Sequence, residues 1–401
     1  MSKLTEKSYF PTLCWLIVAI IYMLQYGLLV IPSSVVSELK QDFGVNMSYV
    51  GIYAAMFLYA WVIMQLPAGL FFDRYNSRKL IFCSTLLLVV ACGIQGVTTN
   101  YYWSLFSRFL MGGAGSFSFI GAIYLARSWY SSLMLPIIIG LTGGISGISE
   151  ISFPVLFLEY KHSINWREII LIIGVITFIF AVLSWFFVHD KVTHEEKSKD
   201  RMLQDLRVVL TNKYLWGLGL YVGFAFTYFI VLADMWGLDW LVKQFGLTKI
   251  DAALMNSVTI FSFIIGCPLL GWLSRYIATP KLLLISMVVE YISLLLMDYS
   301  THTVMSHIIV LVFLGLSTGG VMLAFDIAKE VVSERHYGLA VGFLNVFLCG
   351  VGVIITPIMG YVLMLSLGHG FYKPLIISMT GALGVIVAIF IAWRFRFETK
   401  A

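Results

Sequence analysis

Charge is scarce in this chain: Asp, Glu, Lys and Arg make up 12% of its 401 residues, while 60% are hydrophobic. A soluble domain carries about 25% charged residues, so a soluble globule of this length would lack the polar surface to cover itself. Cysteine is scarce as well. Cys14, Cys83, Cys92, Cys267 and Cys349 all fall inside apolar stretches, which argues against a disulfide framework or a metal cluster. No glycine-rich nucleotide loop, nucleophile triad or zinc-ligand spacing occurs. An ATP-driven pump and the commoner enzyme classes are therefore not expected, and neither is a cofactor. The net charge of +5 is small and does not point to nucleic acid.

What the chain has instead is long apolar runs. A membrane span needs about 20 apolar residues. Twelve such stretches lie near 13–32, 48–70, 79–98, 102–126, 131–158, 168–188, 214–236, 252–273, 281–299, 304–325, 338–364 and 372–394. Lipid offers the backbone no hydrogen bonds, so each should be a helix. The expected fold is an all-α membrane protein of twelve transmembrane helices in two six-helix pseudo-symmetric bundles. With the N-terminus inside, nineteen of the 26 basic residues fall on the inner side, six on the outer side, and Arg108 lies within a span. That bias predicts cytoplasmic termini. Lys3 and Lys7 precede a segment long enough to span and lacking a small-residue cleavage site, so the first span is expected to remain in the protein.

The one long polar stretch, 189–213, divides the spans six and six. It contains His-Glu-Glu-Lys-Ser-Lys-Asp-Arg and then an amphipathic turn near 202–209. It reads as a solvated linker, with regulatory binding as the alternative. The domains expected are an N-terminal bundle over 1–188, the linker, and a C-terminal bundle over 214–401. The halves repeat one another. Leu125-Ala126-Arg127 is followed by Pro154, and Ile327-Ala328-Lys329 by Pro357, with Ala-to-Pro distances of 28 and 29 residues. Gln65-Leu-Pro-Ala-Gly69 closes the second span as Gly266-Cys-Pro-Leu-Leu-Gly271 closes the eighth. Such repeats suggest a central cavity opening alternately to each side.

The sharpest motif is Gly69-Leu-Phe-Phe-Asp73-Arg74-Tyr-Asn-Ser-Arg78-Lys79. It resembles the signature loop of the major facilitator superfamily, Gly-x-x-x-Asp-Arg-x-Gly-x-Arg-Lys, with Asn76 in place of a glycine. Asn tolerates a left-handed backbone, so the turn can survive there. Gly69 would allow close helix packing, and Asp73 could face the positive end of a helix from the other half. Plain positive-inside anchoring is the blander reading of Arg74, Arg78 and Lys79. The second-half copy, Gly271-Trp-Leu-Ser-Arg275-Tyr-Ile-Ala-Thr-Pro-Lys281, lacks the acid. Arg108-Phe-Leu-Met-Gly112 resembles the superfamily's Arg-x-x-x-Gly motif, whose arginine is associated with coupling in proton-driven members. Asn165-Trp166-Arg167 is similar to the family's usual start of the sixth span, while the Gly-Pro motif of many antiporters is absent from the fifth. More faintly, Ile31-Pro32-Ser33-Ser34, Trp236-Gly237 and the stretch from Gly266 to Ser274 resemble a bacterial small-metabolite branch similar to lysosomal dipeptide carriers.

Polar residues within the spans are the candidate site. Glu150 lies roughly 12 Å below the outer end of its span and Arg108 roughly 9 Å deep, at about 1.5 Å per residue. The two could therefore pair, either as a switchable coupling pair or as a fixed structural one. Asp234 is a cavity contact or a solvated helix end. Glu290 reads equally as a coupling acid or as a snorkelled, protonated or oligomer-facing one. Asp326, Lys329 and Glu330 are gate contacts or ordinary helix-end charges. Tyr22, Gln25 and Tyr26 share one helical face, as do Tyr221 and Tyr228. Asn256 and Asn345 add polar groups, and all seven could line a hydrogen-bonding cavity or simply pack. His302 and His307 receive no metal role.

The resemblance implies a secondary active transporter that moves a small polar organic solute (amino acid, short peptide or organic acid) by alternating access, with proton symport first. A uniporter or a proton-antiport exporter is the alternative, and a transporter-like receptor without flux is the different class. The expected partners are the solute, protons and the lipid bilayer. The protein is expected to be a monomer in a bacterial inner membrane.

Overall fold

The computed structural model describes residues 9–160, 163–189, 202–236, 240–242, 245–299, 303–366 and 375–395. Every described element is a helix. In chain order these are α1 (Phe10–Val30), α2 (Val36–Phe43), α3 (Met47–Phe72), α4 (Ser77–Val97), α5 (Tyr101–Trp129), α6 (Leu135–Tyr160), α7 (Trp166–Phe187), α8 (Met202–Leu210) and α9 (Lys213–Tyr228). A π-helical stretch, Phe229–Trp236, continues α9. Then follow α10 (Lys249–Leu273), α11 (Thr279–Tyr299), α12 (Val304–Thr318), α13 (Val321–Val331), α14 (Tyr337–Ser366) and α15 (Leu375–Phe395).

Ten helices among the described residues are long and apolar enough to cross a membrane. The eleventh and twelfth expected stretches coincide with α14 and α15. The protein is thus an integral multi-pass membrane protein built of helices. Polar caps start many of them: the side chains of Asn76, Asn100, Asn165, Asn212, Thr248 and Thr303 accept from first-turn amides. Each cap serves amides that have no carbonyl one turn earlier. At Asn165 the cap is reciprocal, with Glu168 accepting from the Asn165 amide.

Two departures from the simple span pattern appear. The tenth expected stretch is not one regular helix, because α12 and α13 are separated by Gly319 and Gly320. A Cβ at Gly319 would run into the backbone of Gly266 and Cys267, and one at Gly320 into Ser286. The break therefore sits where α10 and α11 pack closely on the chain. The seventh expected stretch changes to π geometry after Tyr228.

The chain forms two compact units. Unit 1 comprises Met1–Ser131, Ile148–Leu206 and Arg335–Gly342; unit 2 comprises Ser132–Gly147, Arg207–Glu334 and Phe343–Ala401. In unit 1, α5 packs on α1, α3 and α4. Its Gly112 lies against the Phe57 carbonyl of α3, where a Cβ would not fit. In unit 2, α10 packs on α12, and α11 on α12 and α15.

Candidate functional site

The signature loop folds tightly. The amides of Arg74 and Tyr75 both donate to the Phe71 carbonyl, at 3.0 and 2.8 Å. Asn76 is extended (φ −62°, ψ 124°), not left-handed, and acts as the cap of α4 by accepting from the Lys79 amide at 3.3 Å. The turn thus needs no glycine at 76, which corrects the expectation of a left-handed residue.

Asp73 is buried, and its two oxygens accept from the amides of Gly338 and Leu339, each at 2.7 Å. These are first-turn amides of α14, so the carboxylate meets both orphan donors and the positive end of the helix dipole. The approach depends on two glycines. A Cβ at Gly69 would collide with the Gly338 carbonyl, and one at Gly338 would lie 2.6 Å from the Gly69 carbonyl and 2.9 Å from Asp73 Oδ1. In unit 2, Gly271 closes in the same way on Pro136 and Ile137 at the start of α6. Where unit 1 has Asp73, that copy has Arg275, whose Nε donates to the Leu133 carbonyl at 3.3 Å.

Arg74 reaches a residue that sequence reasoning missed. Its Nη2 donates to Asp205 Oδ2 at 2.7 Å. Asp205, on α8, also accepts from Arg335 Nη2 at 2.9 Å and lies 3.1 Å from His336 Nε2. Burial alone would push the Asp205 carboxyl up. The hydrogen bonds from Arg74, His336 and Arg335 outweigh burial and hold it below the ordinary carboxylate range. Next to this cluster, the Arg127 guanidinium lies 4.1 Å from the centre of the Tyr337 ring. The only sequence hint of Asp205 was its place in the amphipathic turn near 202–209. The rest of the expected motif does not join the cluster: Arg78 lies over Trp185 at 5.4 Å, and Lys79 is exposed.

Arg108 is buried, but it does not pair with Glu150. Its Nη1 donates to the Leu28 carbonyl at 2.6 Å and its Nη2 to the Leu29 carbonyl at 3.4 Å. The rings of Tyr53 and Phe57 lie 5.1 and 4.8 Å from it. Similar depth along two helices does not by itself bring two side chains together. Glu150 is half-buried in the part of α6 that belongs to unit 1.

Tyr22 and Tyr26 meet edge to face at 5.9 Å, and Tyr22 also meets Phe119 of α5 at 5.3 Å. Gln25 accepts from Ser118 at 3.2 Å, and its Nε2 meets no partner among the described residues. Gln65 is buried with neither amide atom partnered among the described residues, and so is Asn345 in unit 2. Asn256 is accounted for structurally: its Nδ2 donates to the Ala233 carbonyl in the π-helical stretch at 2.7 Å. Tyr221 sits 3.4 Å from the Ser286 hydroxyl, and Tyr228 belongs to a buried apolar cluster. Asp326 pairs with Lys329 at 2.5 Å. His307 is buried against Trp240 and Phe245. The side chain of Asp234, like His302, lies outside the described residues.

Glu290 is the outlier. It is 1% exposed, and among the described residues neither carboxyl oxygen has a hydrogen-bond partner. A buried group in that state calls for an explanation, and inside a membrane it is a functional candidate by default.

A sequence profile of the Major Facilitator Superfamily matches residues 15–357. The chain belongs to that superfamily and is a secondary transporter. Among curated relatives, the probable galactarate/D-glucarate transporter GudP of Escherichia coli (strain K12) is 22% identical over 87% of this chain and 86% of its own length. The probable nitrate transporter NarT of Staphylococcus haemolyticus is 24% identical over 90% of this chain and 89% of its own length. Among solved structures, the fold matches FucP in its outward conformation with a TM-score of 0.74, at 16% identity over 95% of this chain and 98% of that one. It matches the proton:xylose symporter XylE with a TM-score of 0.76, at 13% identity over 97% of this chain and 96% of that one.

Proposed function

We propose that this protein is a proton-coupled importer of a small organic acid, working by alternating access through twelve spans in two six-helix halves. The observation that carries the anionic substrate is Arg108. Among the described contacts this buried cation is met by neutral carbonyls and aromatic rings and by no carboxylate. A cation so placed is costly until an anion joins it. Relatives named for galactarate, D-glucarate and D-galactonate transport are consistent with a hydroxylated carboxylate. Nitrate, named for another relative, is the second reading, since the same cation would suit it.

Proton coupling rests on Glu290, a buried carboxyl that meets no partner among the described residues. Glu150 remains the second candidate acid. The bonds from the start of α14 to Asp73, with those of Arg74, Arg335 and His336 to Asp205, form the lock of one end state. The basic-residue bias supports a bacterial inner membrane with cytoplasmic termini.

The test is uptake of labelled galactarate, glucarate, galactonate, nitrate, amino acids and dipeptides into proteoliposomes. Saturable uptake of a sugar acid, lost in Arg108→Gln, is expected. Uptake confined to amino acids or peptides would overturn the acid assignment.

A further inference from the structure

We propose that unit 2 carries a binding site for the phosphate headgroup of an anionic phospholipid, where the start of α9 meets the end of α15. A cavity of about 420 Å³ opens there, lined by Lys213, Tyr214, Phe390, Trp393 and Arg394. Two of these five residues are cationic, three are aromatic, and none is acidic.

Both cations converge on one ring. Lys213 Nζ lies 5.3 Å and the Arg394 guanidinium 5.2 Å from the centre of Tyr214. Arg394 Nε also donates to the Tyr214 hydroxyl at 2.9 Å, which fixes the plane of the guanidinium at the cavity wall. The ring face attracts each cation, but the two cations repel one another. An anion seated in the cavity would pair with both. A guanidinium presents a planar fork to phosphate oxygens and an ammonium a compact charge, so the two together suit a phosphate better than either alone.

The site does not depend on the helix N-terminus. Asn212 already accepts from the Tyr214 and Leu215 amides, so those first-turn donors are satisfied within the chain. Recognition would fall to the side chains.

The aromatic residues decide between a lipid and a free phosphate. Trp393 is 61% and Phe390 46% exposed, directly beside the charged residues. A free phosphate would leave these faces uncovered. A phospholipid would place its acyl chains along them while its phosphate met Lys213 and Arg394. Tryptophan beside Lys and Arg at a helix end is also the arrangement found at headgroup depth. Basic clusters at that depth draw anionic lipids.

The test uses the purified full-length protein and native mass spectrometry. Phosphatidylglycerol and phosphatidylcholine are titrated separately against the wild type, Lys213→Gln/Arg394→Gln and Lys40→Gln, with and without inorganic phosphate. Lys40 is exposed on α2, and its substitution serves as the control for loss of a single positive charge elsewhere, matched to Lys213→Gln. The double variant is expected to hold phosphatidylglycerol roughly thirtyfold more weakly than the wild type, with phosphatidylcholine and the Lys40 variant unaffected. If Arg394→Gln disturbs folding, Lys213→Gln alone should show a smaller loss in the same direction. Equal phosphatidylglycerol retention in all folded variants would overturn the site. Displacement of the lipid by millimolar inorganic phosphate would overturn the lipid assignment and make the ligand a free anion.

Discussion

Asp73 accepts an α14 amide on each of its two oxygens, so its value depends on its charge and on both oxygens. Hydrogen bonds to a charged group contribute about 1.5–3 kcal/mol each. Asp73→Ala is expected to lower the melting temperature of purified protein and to slow transport. Asp73→Asn, which keeps one acceptor oxygen, should fall between the two. Equal melting temperatures for all three would show that the contact contributes no stability. Asp205 carries a pH prediction. Its folded value lies below the ordinary one, so its contribution is fully present above about pH 3.9 and is lost as pH falls through the folded value. A melting curve followed from pH 6 to pH 3 should fall at the acid end in the wild type and less so in Asp205→Asn. Asp73 was legible in the sequence because the spacing of its loop is local. Asp205 was not, because it lies 131 residues from Arg74 and an amphipathic turn does not name its partner. Arg108 was legible as a buried cation, but its partners are backbone carbonyls, which no side-chain pattern encodes.

Among the elements, close approach at glycine sets the ends of several helices. Gly69 meets Gly338 in unit 1, and Gly271 meets Pro136 in unit 2. A valine at Gly338 or Gly271 would force its neighbour's backbone to move, at a cost of typically 1–3 kcal/mol. Each variant should melt below the wild type, whereas Gly217→Val, at a glycine with open space around it, should not match that loss. Comparable losses at all three positions would point to helix propensity rather than packing. The spans were legible from hydropathy, because burial in lipid demands long apolar runs whatever the packing inside. The break at Gly319-Gly320 and the π-helical continuation of α9 were not. Both are changes in backbone geometry within apolar sequence, and an average over apolarity is blind to them.

For the whole molecule, fold and superfamily follow from the spans, the repeat and one loop, and the profile match over residues 15–357 agrees with them. In the proposed account, substrate and coupling depend on a few buried polar groups whose partners only three-dimensional placement reveals. Glu290 illustrates this: its sequence position allowed a lipid-facing or an interior acid, while its 1% exposure makes it an interior one. Glu290→Gln is expected to abolish accumulation driven by a proton gradient while sparing exchange of internal for external solute, both measured in proteoliposomes. Unchanged accumulation would remove Glu290 from the coupling path. The most direct measurement is proton movement itself. Weakly buffered proteoliposomes are given galactarate or galactonate, and the external pH is followed with an electrode. Coupled import predicts a saturable alkalinisation of the medium, abolished by an uncoupler and absent in Arg108→Gln. Saturable solute uptake with no accompanying proton movement would contradict symport.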